Sequence, residues 1–382
     1  MPQPPTKVRR VAESTRLVDL VSDRIGRALT EQRTRLAAIS PDLAPFSDFS
    51  RDLLAGGKRF RALFCYWGWQ SVAGRSGSFD PLAAGSRQTT AEAVVTAAAA
   101  LEVFHAAALV HDDIMDRSDT RRGRPAAHRR FERLHAEHGW IGDSAAYGTN
   151  SALLMGDLLL SLSDSVFDEA LALLEPGRAR LVRQEFHAMR LDVTAGQYLD
   201  IHEETAWPTV DEADLLVRAQ RVIVFKSAKY SVEAPLAIGG LIAGADDRQL
   251  EGLRAFGLPL GVAYQLRDDL LGVFGDPEVT GKPAGDDLRE GKRTVLIATA
   301  RKALPTGARQ LVDELLGDPE LDEDQITMLR ATLTESGAVA AVERSIERHV
   351  ARAKAALAAA PLTPSAREQL VALADTVAQR VA

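Results

Sequence analysis

The chain has 382 residues, 46% of them hydrophobic, and a formal net charge of −7. That length suits one large or two ordinary domains, and the acidic balance counts against a nucleic-acid partner. The single cysteine, Cys65, excludes an intramolecular disulfide and suits a reducing, cytoplasmic setting. In 62-ALFCYWGW-69 it reads as a buried structural thiol.

In chain order, MPQPPTKVRR lacks the apolar core of a signal peptide. A disordered lead-in is expected over 1–14, with one folded domain over 15–382 starting near Thr15. Helical spacing begins at 17–37 and returns over 89–117, 150–174, 179–200, 211–233 and 247–274. Shorter helices follow at 293–303, 308–316, 322–335, 337–360 and 364–380. Glycine- and proline-rich breakers separate these runs, among them 122-RGRP-125 and 275-GDPEVTGKPAGDD-287. No alternating strand pattern stands out. The apolar stretch 93–110 is interrupted by Glu102 and His105, so no membrane span is expected. Helices as apolar as 89–110 and 231–243 must be buried on nearly all sides. The reading is an all-α chain folded as a single large helical bundle.

The stretch 111-HDDIMDRSDTRRGRPAAH-128 sets acids beside arginines. Asp112 and Asp116 are four residues apart and share a helix face, where they repel unless something lies between them. A hard divalent cation resolves that repulsion, and carboxylates plus substrate phosphates are a usual magnesium arrangement. Arg121 and Arg122 follow, with guanidinium groups suited to phosphate. A surface salt-bridge patch is the alternative, but the helix before these acids is too apolar to be a surface helix.

A second run, 264-YQLRDDLLGVFGDPEVTGKPAGDDLREGK-292, repeats the logic. Asp268 and Asp269 end another apolar helix, Gln265 lies one turn earlier, and Lys282 and Lys292 follow. Gly272 stands where a further acid would match Asp116. In 56-GGKRFRALF-64, two glycines precede Lys58, Arg59 and Arg61 at the start of a helix. Gln197 and Asp200 in 194-TAGQYLDI-201, and Lys226 and Lys229 in 224-VFKSAKYS-231, interrupt apolar helices and need partners. Core hydrogen bonding accounts for either pair as readily as catalysis does.

Six ordered motifs, GGKRFR, FHAAALVHDDIMDRSDTRRGRP, MGDLLL, TAGQYLDI, FKSAKYS and YQLRDDLLGVFGD…GKPAGDDLREGK, resemble those of the trans-isoprenyl diphosphate synthases, the polyprenyl synthetase family. The wording of the last is most similar to actinobacterial short-chain members. The resemblance implies the isoprenoid synthase fold around a deep central cavity, a homodimer, and head-to-tail joining of isopentenyl diphosphate to dimethylallyl, geranyl or farnesyl diphosphate. It implies Mg2+, three per active site, held by Asp112 and Asp116 with Asp113 assisting, and by Asp268 with Asp269 behind it. Arg121, Lys226, Gln265 and Lys282 would hold the allylic diphosphate, with Lys292 near it. Lys58, Arg61, His105 and Arg122 would hold that of isopentenyl diphosphate. Gln197 and Ser227 would line the developing allylic cation. Ala62 and Ser227 depart conservatively from the family's usual Pro and Thr.

Product length should be set beneath the first acid motif. Ala108 lies one turn below Asp112, with Ala107 beside it and Phe104 another turn down. One turn, about 5.4 Å, makes room for roughly one five-carbon unit. Two alanines where shorter-product members carry an aromatic floor therefore point to geranylgeranyl diphosphate. Farnesyl or longer products are the alternative, as is a floor supplied by Phe167. A class I terpene cyclase would need a different second motif, a His-Asp phosphohydrolase would leave Lys58 and Arg61 unexplained, and a non-catalytic subunit would not keep the first acid motif.

Overall fold

The computed structural model describes residues 6–73, 86–275 and 285–378. Long runs free of breakers become helices, closed by residues suited to caps. The first four are α1 (Thr6–Ile39), α2 (Ala44–Leu54), α3 (Phe60–Ala73) and α4 (Ser86–Met115). A small hairpin follows, β1 (Thr120–Arg121) paired antiparallel with β2 (Arg124–Pro125). Next come α5 (Ala127–Glu137), α6 (Ser144–Ala172), α7 (Pro176–Ala206) and α8 (Glu212–Val222), which runs into a π-helical segment, Ile223–Glu233. Then come α9 (Ala234–Ala243), α10 (Asp247–Phe274), α11 (Asp286–Glu290) and α12 (Val295–Ala303). The chain ends with α13 (Thr306–Leu315), α14 (Glu323–Glu335), α15 (Ala338–Ala359) and α16 (Pro364–Ala378). Asp143 caps α6 through the Ala145 and Ala146 N–H groups, and capping boxes open α10 (Asp246, Gln249) and α14 (Asp322, Gln325).

The alanine-rich α4 is the centre of the bundle. It packs chiefly on α6, and also on α3, α1 and α9. Ala93, Ala97, Ala100 and Val103 are fully buried, so its neighbours press close to its backbone. Beside it α3 and α9 cross where neither helix has a side chain. A Cβ on Gly239 would lie 1.8 Å from the Cys65 carbonyl oxygen, and one on Gly68 would lie 2.2 Å from that of Leu236. Cys65 is buried there, and burial raises its thiol pKa, as expected of a structural cysteine.

Four expectations change. Helix α1 begins at Thr6, not near Thr15, because no breaker follows Pro5; among its described side chains, from Ser14 on, Leu17 is the first that is buried. The segment Thr90–Met115 is long and apolar enough to cross a membrane, despite Glu102 and His105, and 78% of its most apolar window is buried in the bundle. Glu102 is itself buried, accepting from the Ala62 N–H and facing Arg59. The RGRP breaker forms a two-stranded ladder, and the helix expected over 211–233 changes to π geometry at Ile223.

The α3–α9 crossing makes a stability prediction. Gly239→Ala should cost about 3 kcal/mol through overpacking, whereas Gly177→Ala, where a Cβ meets nothing within 4 Å, should be neutral or mildly stabilising. Thermal denaturation of the two variants distinguishes them.

Candidate active site

Helix α4 carries Phe104, Ala108 and Asp112 in a line, one turn apart, and its end opens on a cavity of about 510 Å3. His105, Ala108, Leu109 and Asp112 form its α4 wall. The hairpin adds Arg121 and Arg122, the turn before α3 adds Lys58, and the first turn of α3 adds Arg61. Val193, Gln197 and Asp200 come from α7, Lys226 and Ser227 from the π segment, and Gln265, Asp268 and Asp269 from α10. Lys292 closes the ring. Residues spread over 235 positions of sequence thus meet in one space.

The first acid motif is built from buried ion pairs. Asp112 faces Lys226 Nζ at 3.1 Å and Arg121 Nη2 at 3.6 Å. Burial works against its charge, but Lys226, Lys292 and Arg121 outweigh that and hold its pKa well below the usual range. Asp116 lies under Lys292, 3.0 Å from its Nζ; burial, reinforced by Asp112, raises its pKa. Lys226 also binds Asp200, and Lys292 binds Glu290 at 2.6 Å. Both lysines are partly buried, which works against their charge, yet Asp112 and Asp200 push the pKa of Lys226 up and Asp287 and Asp116 push up that of Lys292, so both stay charged. Asp113 departs from its expected place among the metal ligands. It is buried off the cavity face and accepts from Arg121 Nε at 2.7 Å, which aims that guanidinium. Adjacent residues on a helix point about 100° apart: Asp112 lines the cavity, Asp113 turns away from it, and Asp116, one turn on, lies behind Lys292 rather than in the lining.

The opposite, cationic wall depends on backbone geometry. Gly56 and Gly57 take φ of 70° and 95°, and Arg59 takes 49°, in the left-handed region. That turn sends Arg59 inward to Glu102 and the Leu54 carbonyl, leaving Lys58 and Arg61 at the cavity. Arg61 donates to Ser231 Oγ (2.8 Å), and its guanidinium lies 4.2 Å over the Tyr230 ring. Tyr230 also pairs with His105 Nδ1 at 2.5 Å. Burial, then Arg61, Arg122 and Arg121, keep the His105 pKa well below its ordinary value, so the ring is neutral. Arg122 donates to the Leu53 carbonyl at 3.2 Å.

The second acid pair sits at the end of α10. Gln265 donates to Asp269 at 2.7 Å. Burial, with Asp287 and Asp268 adding to it, pushes the Asp269 carboxyl up to about 8. Gly272 makes room for a substitute acid: a Cβ there would lie 2.0 Å from Asp287 Oδ2. Lys282 lies outside the described residues. Lys226 and Ser227 both reach the cavity from the π-helical segment. It also fits closely on α7, where a Cβ on Gly196 would lie 2.2 Å from the Lys226 amide nitrogen. Tyr230, Asp287, Glu290 and Arg293 were not anticipated as site residues. Each lies within five residues of an anticipated one, which is the only signal the sequence carries for them.

Residues 44–333 match the polyprenyl synthetase family. The chain belongs to it. A geranylgeranyl pyrophosphate synthase from Corynebacterium glutamicum, solved with isoprenyl diphosphate and magnesium, is 35% identical, with a TM-score of 0.87 over 96% of this chain and 99% of that one. A geranylfarnesyl diphosphate synthase of Aeropyrum pernix is 32% identical over 86% of this chain and 91% of its own. A geranylgeranyl diphosphate synthase of Mycobacterium tuberculosis is 29% identical over 93% and 89%. This polyprenyl synthetase is therefore a prenyltransferase with the all-α isoprenoid synthase fold.

Beneath the charges of this synthetase, the two alanines separate. Ala108 lines the cavity; Ala107 is fully buried in helix packing and does not reach it. One turn below Ala108, Phe104 meets Phe186 edge-on at 6.2 Å, and Phe186 stacks on Phe167 at 3.9 Å. The two candidate floors, Phe104 and Phe167, are thus parts of one aromatic cluster.

The second acid pair makes a pH prediction. With its pKa near 8, Asp269 must lose a proton before it can accept a cation. The divalent-cation concentration giving half-maximal activity should fall as pH rises from 7 to 9, and Asp269→Asn should flatten that dependence.

Proposed function

We propose that this prenyltransferase joins isopentenyl diphosphate head to tail to dimethylallyl, geranyl or farnesyl diphosphate, releases pyrophosphate, and stops mainly at geranylgeranyl diphosphate. The observation that carries the reading is one cavity with two differently built ends. One end has acids interleaved with Lys226, Lys292 and Arg121; the other has Lys58, Arg61, Arg122 and neutral His105. The relatives from Corynebacterium and Mycobacterium support the product by their names.

Magnesium suits the acid end. Asp112 Oδ1 and Asp116 Oδ2 are buried and accept no hydrogen bond, although each faces a lysine. Among the described residues no three acids or imidazoles converge as a cage. Asp112 with Asp116, and Asp268 with Asp269, would hold ions jointly with diphosphate oxygens, the sharing magnesium favours; we infer three ions per site. Bound there, magnesium supplies neutralisation of the leaving diphosphate.

The chain's own groups do the rest. Lys226, Arg121 and Lys292 meet the allylic diphosphate, and Lys58, Arg61 and Arg122 orient the second one, a preorganised field that needs no rearrangement during reaction. His105, held by Tyr230, contributes a neutral ring and adds no repulsion to that cationic wall. Gln197 and Ser227 lie along the developing allylic cation. Leu109, Val193, Ala219 and Ile223 line the cavity and exclude the water that would quench it. Leu153, Leu154, Leu191 and Tyr198 leave an exposed apolar face on α6 and α7, which we assign to a homodimer contact. The lone buried thiol suits a cytoplasmic location.

Incubation with magnesium, isopentenyl diphosphate and each of the three primers should yield a twenty-carbon product. Pyrophosphate released without isopentenyl diphosphate would point to a cyclase instead, and a twenty-five-carbon product to the activity of the Aeropyrum relative. Ala108→Phe should shift the main product to fifteen carbons; an unchanged length removes the floor from this position. Ala107→Phe should lower stability by overpacking, and any folded enzyme should keep its product length.

A further inference from the structure

The acid pair on α10 is poorly placed for its helix. Asp268 and Asp269 lie within two turns of the C-terminus at Phe274, where the helix dipole is negative, and they repel one another. Something must hold that end of α10 in register. Arg267, the residue just before the pair, is gripped by Glu343 of α15 in a two-pronged bond, Nη1–Oε1 at 2.5 Å and Nη2–Oε2 at 2.6 Å. A fork of this kind fixes direction as well as distance, and so fixes the rotation of α10 about its axis. Arg330 of α14 adds a second tie, donating from Nε to the Val273 carbonyl at 2.6 Å in the last turn. That bond satisfies a helix-end acceptor and brings a cation to the negative end. The loop between α13 and α14 ties α11 as well, through the Gly317 N–H to the Leu288 carbonyl at 2.9 Å. Helix α11 carries Asp287, which fills the space at Gly272.

Glu343 lies beyond residues 44–333, the part of the chain that matches the family. We propose that Glu343 is a positioning residue for the second acid pair: through Arg267 it holds Asp268 and Asp269 toward the cavity, so that α15 sets the affinity for magnesium there. The inference rests on the reading that Asp268 holds magnesium.

The test is a Mg2+ titration of the full-length protein with inorganic pyrophosphate, read as the shift in melting temperature, alongside the Mg2+ dependence of activity. Glu343→Gln should raise the Mg2+ midpoint by about tenfold, as loss of a supporting partner does at other metal sites. The melting temperature without metal should stay within a few degrees, and kcat at saturating Mg2+ and KM for isopentenyl diphosphate should hold within about twofold. Arg267→Met should do the same, and serves if the first variant does not fold. A folded Glu343→Gln or Arg267→Met with an unchanged midpoint overturns the inference, provided Asp268→Ala does shift it. If Asp268→Ala also leaves the midpoint unchanged, the metal assignment fails and this inference goes with it.

Discussion

A carboxylate at the end of an apolar core helix stays charged only if counterions are built around it. That constraint organises this molecule. Helix α4 must be apolar to occupy the centre of the bundle, yet it ends in Asp112 and Asp116. Their counterions come from elsewhere: Lys226 from the π segment, Lys292 from beyond α11, and Arg121 from the hairpin. Each cation is shared in turn with Asp200, Glu290 or Asp113. The groups suited to act on a diphosphate therefore also lock four parts of the chain around the cavity. Deleting one of them leaves a buried charge uncompensated, so stability and activity are not separable at these positions.

Close backbone approach is the second requirement. The cavity needs two acidic helix ends facing each other with cations between, in little space. Gly196 lets α7 touch the π segment at Lys226, and Gly272 lets Asp287 reach α10. The π segment then presents Lys226 and Ser227 together. The bundle outside this region serves as a frame, with α14 and α15 bracing the far side of α10.

Much of this was legible in the sequence, and what was not has physical causes. The four-residue spacing of Asp112 and Asp116, the apolar helix before them and the second acid pair with its basic loop are local features, and they carried the family reading. Asp113 and Ala107 lie outside the cavity lining, since helical neighbours diverge by about 100° and each is adjacent to a residue that does line it. Composition alone does not separate Arg59 from Lys58 and Arg61, since its left-handed backbone leaves no compositional mark; only the family resemblance set it apart. The π geometry after Val222 was invisible because nothing in that stretch breaks a helix. Pairings such as Arg267 with Glu343, 76 residues apart, arise from tertiary packing alone.

The lysines that neutralise the acids give the cavity a built-in counterion. A divalent cation arriving alone must compete with Lys226 and Lys292 for the same carboxylate oxygens. A diphosphate offers those ammonium groups a new partner and so frees the carboxylates. With magnesium held there as proposed, metal and substrate would favour each other's binding by the same free energy, whichever comes first. On the proposed assignment, the protein would be shielded in this way from cations that come without their cargo.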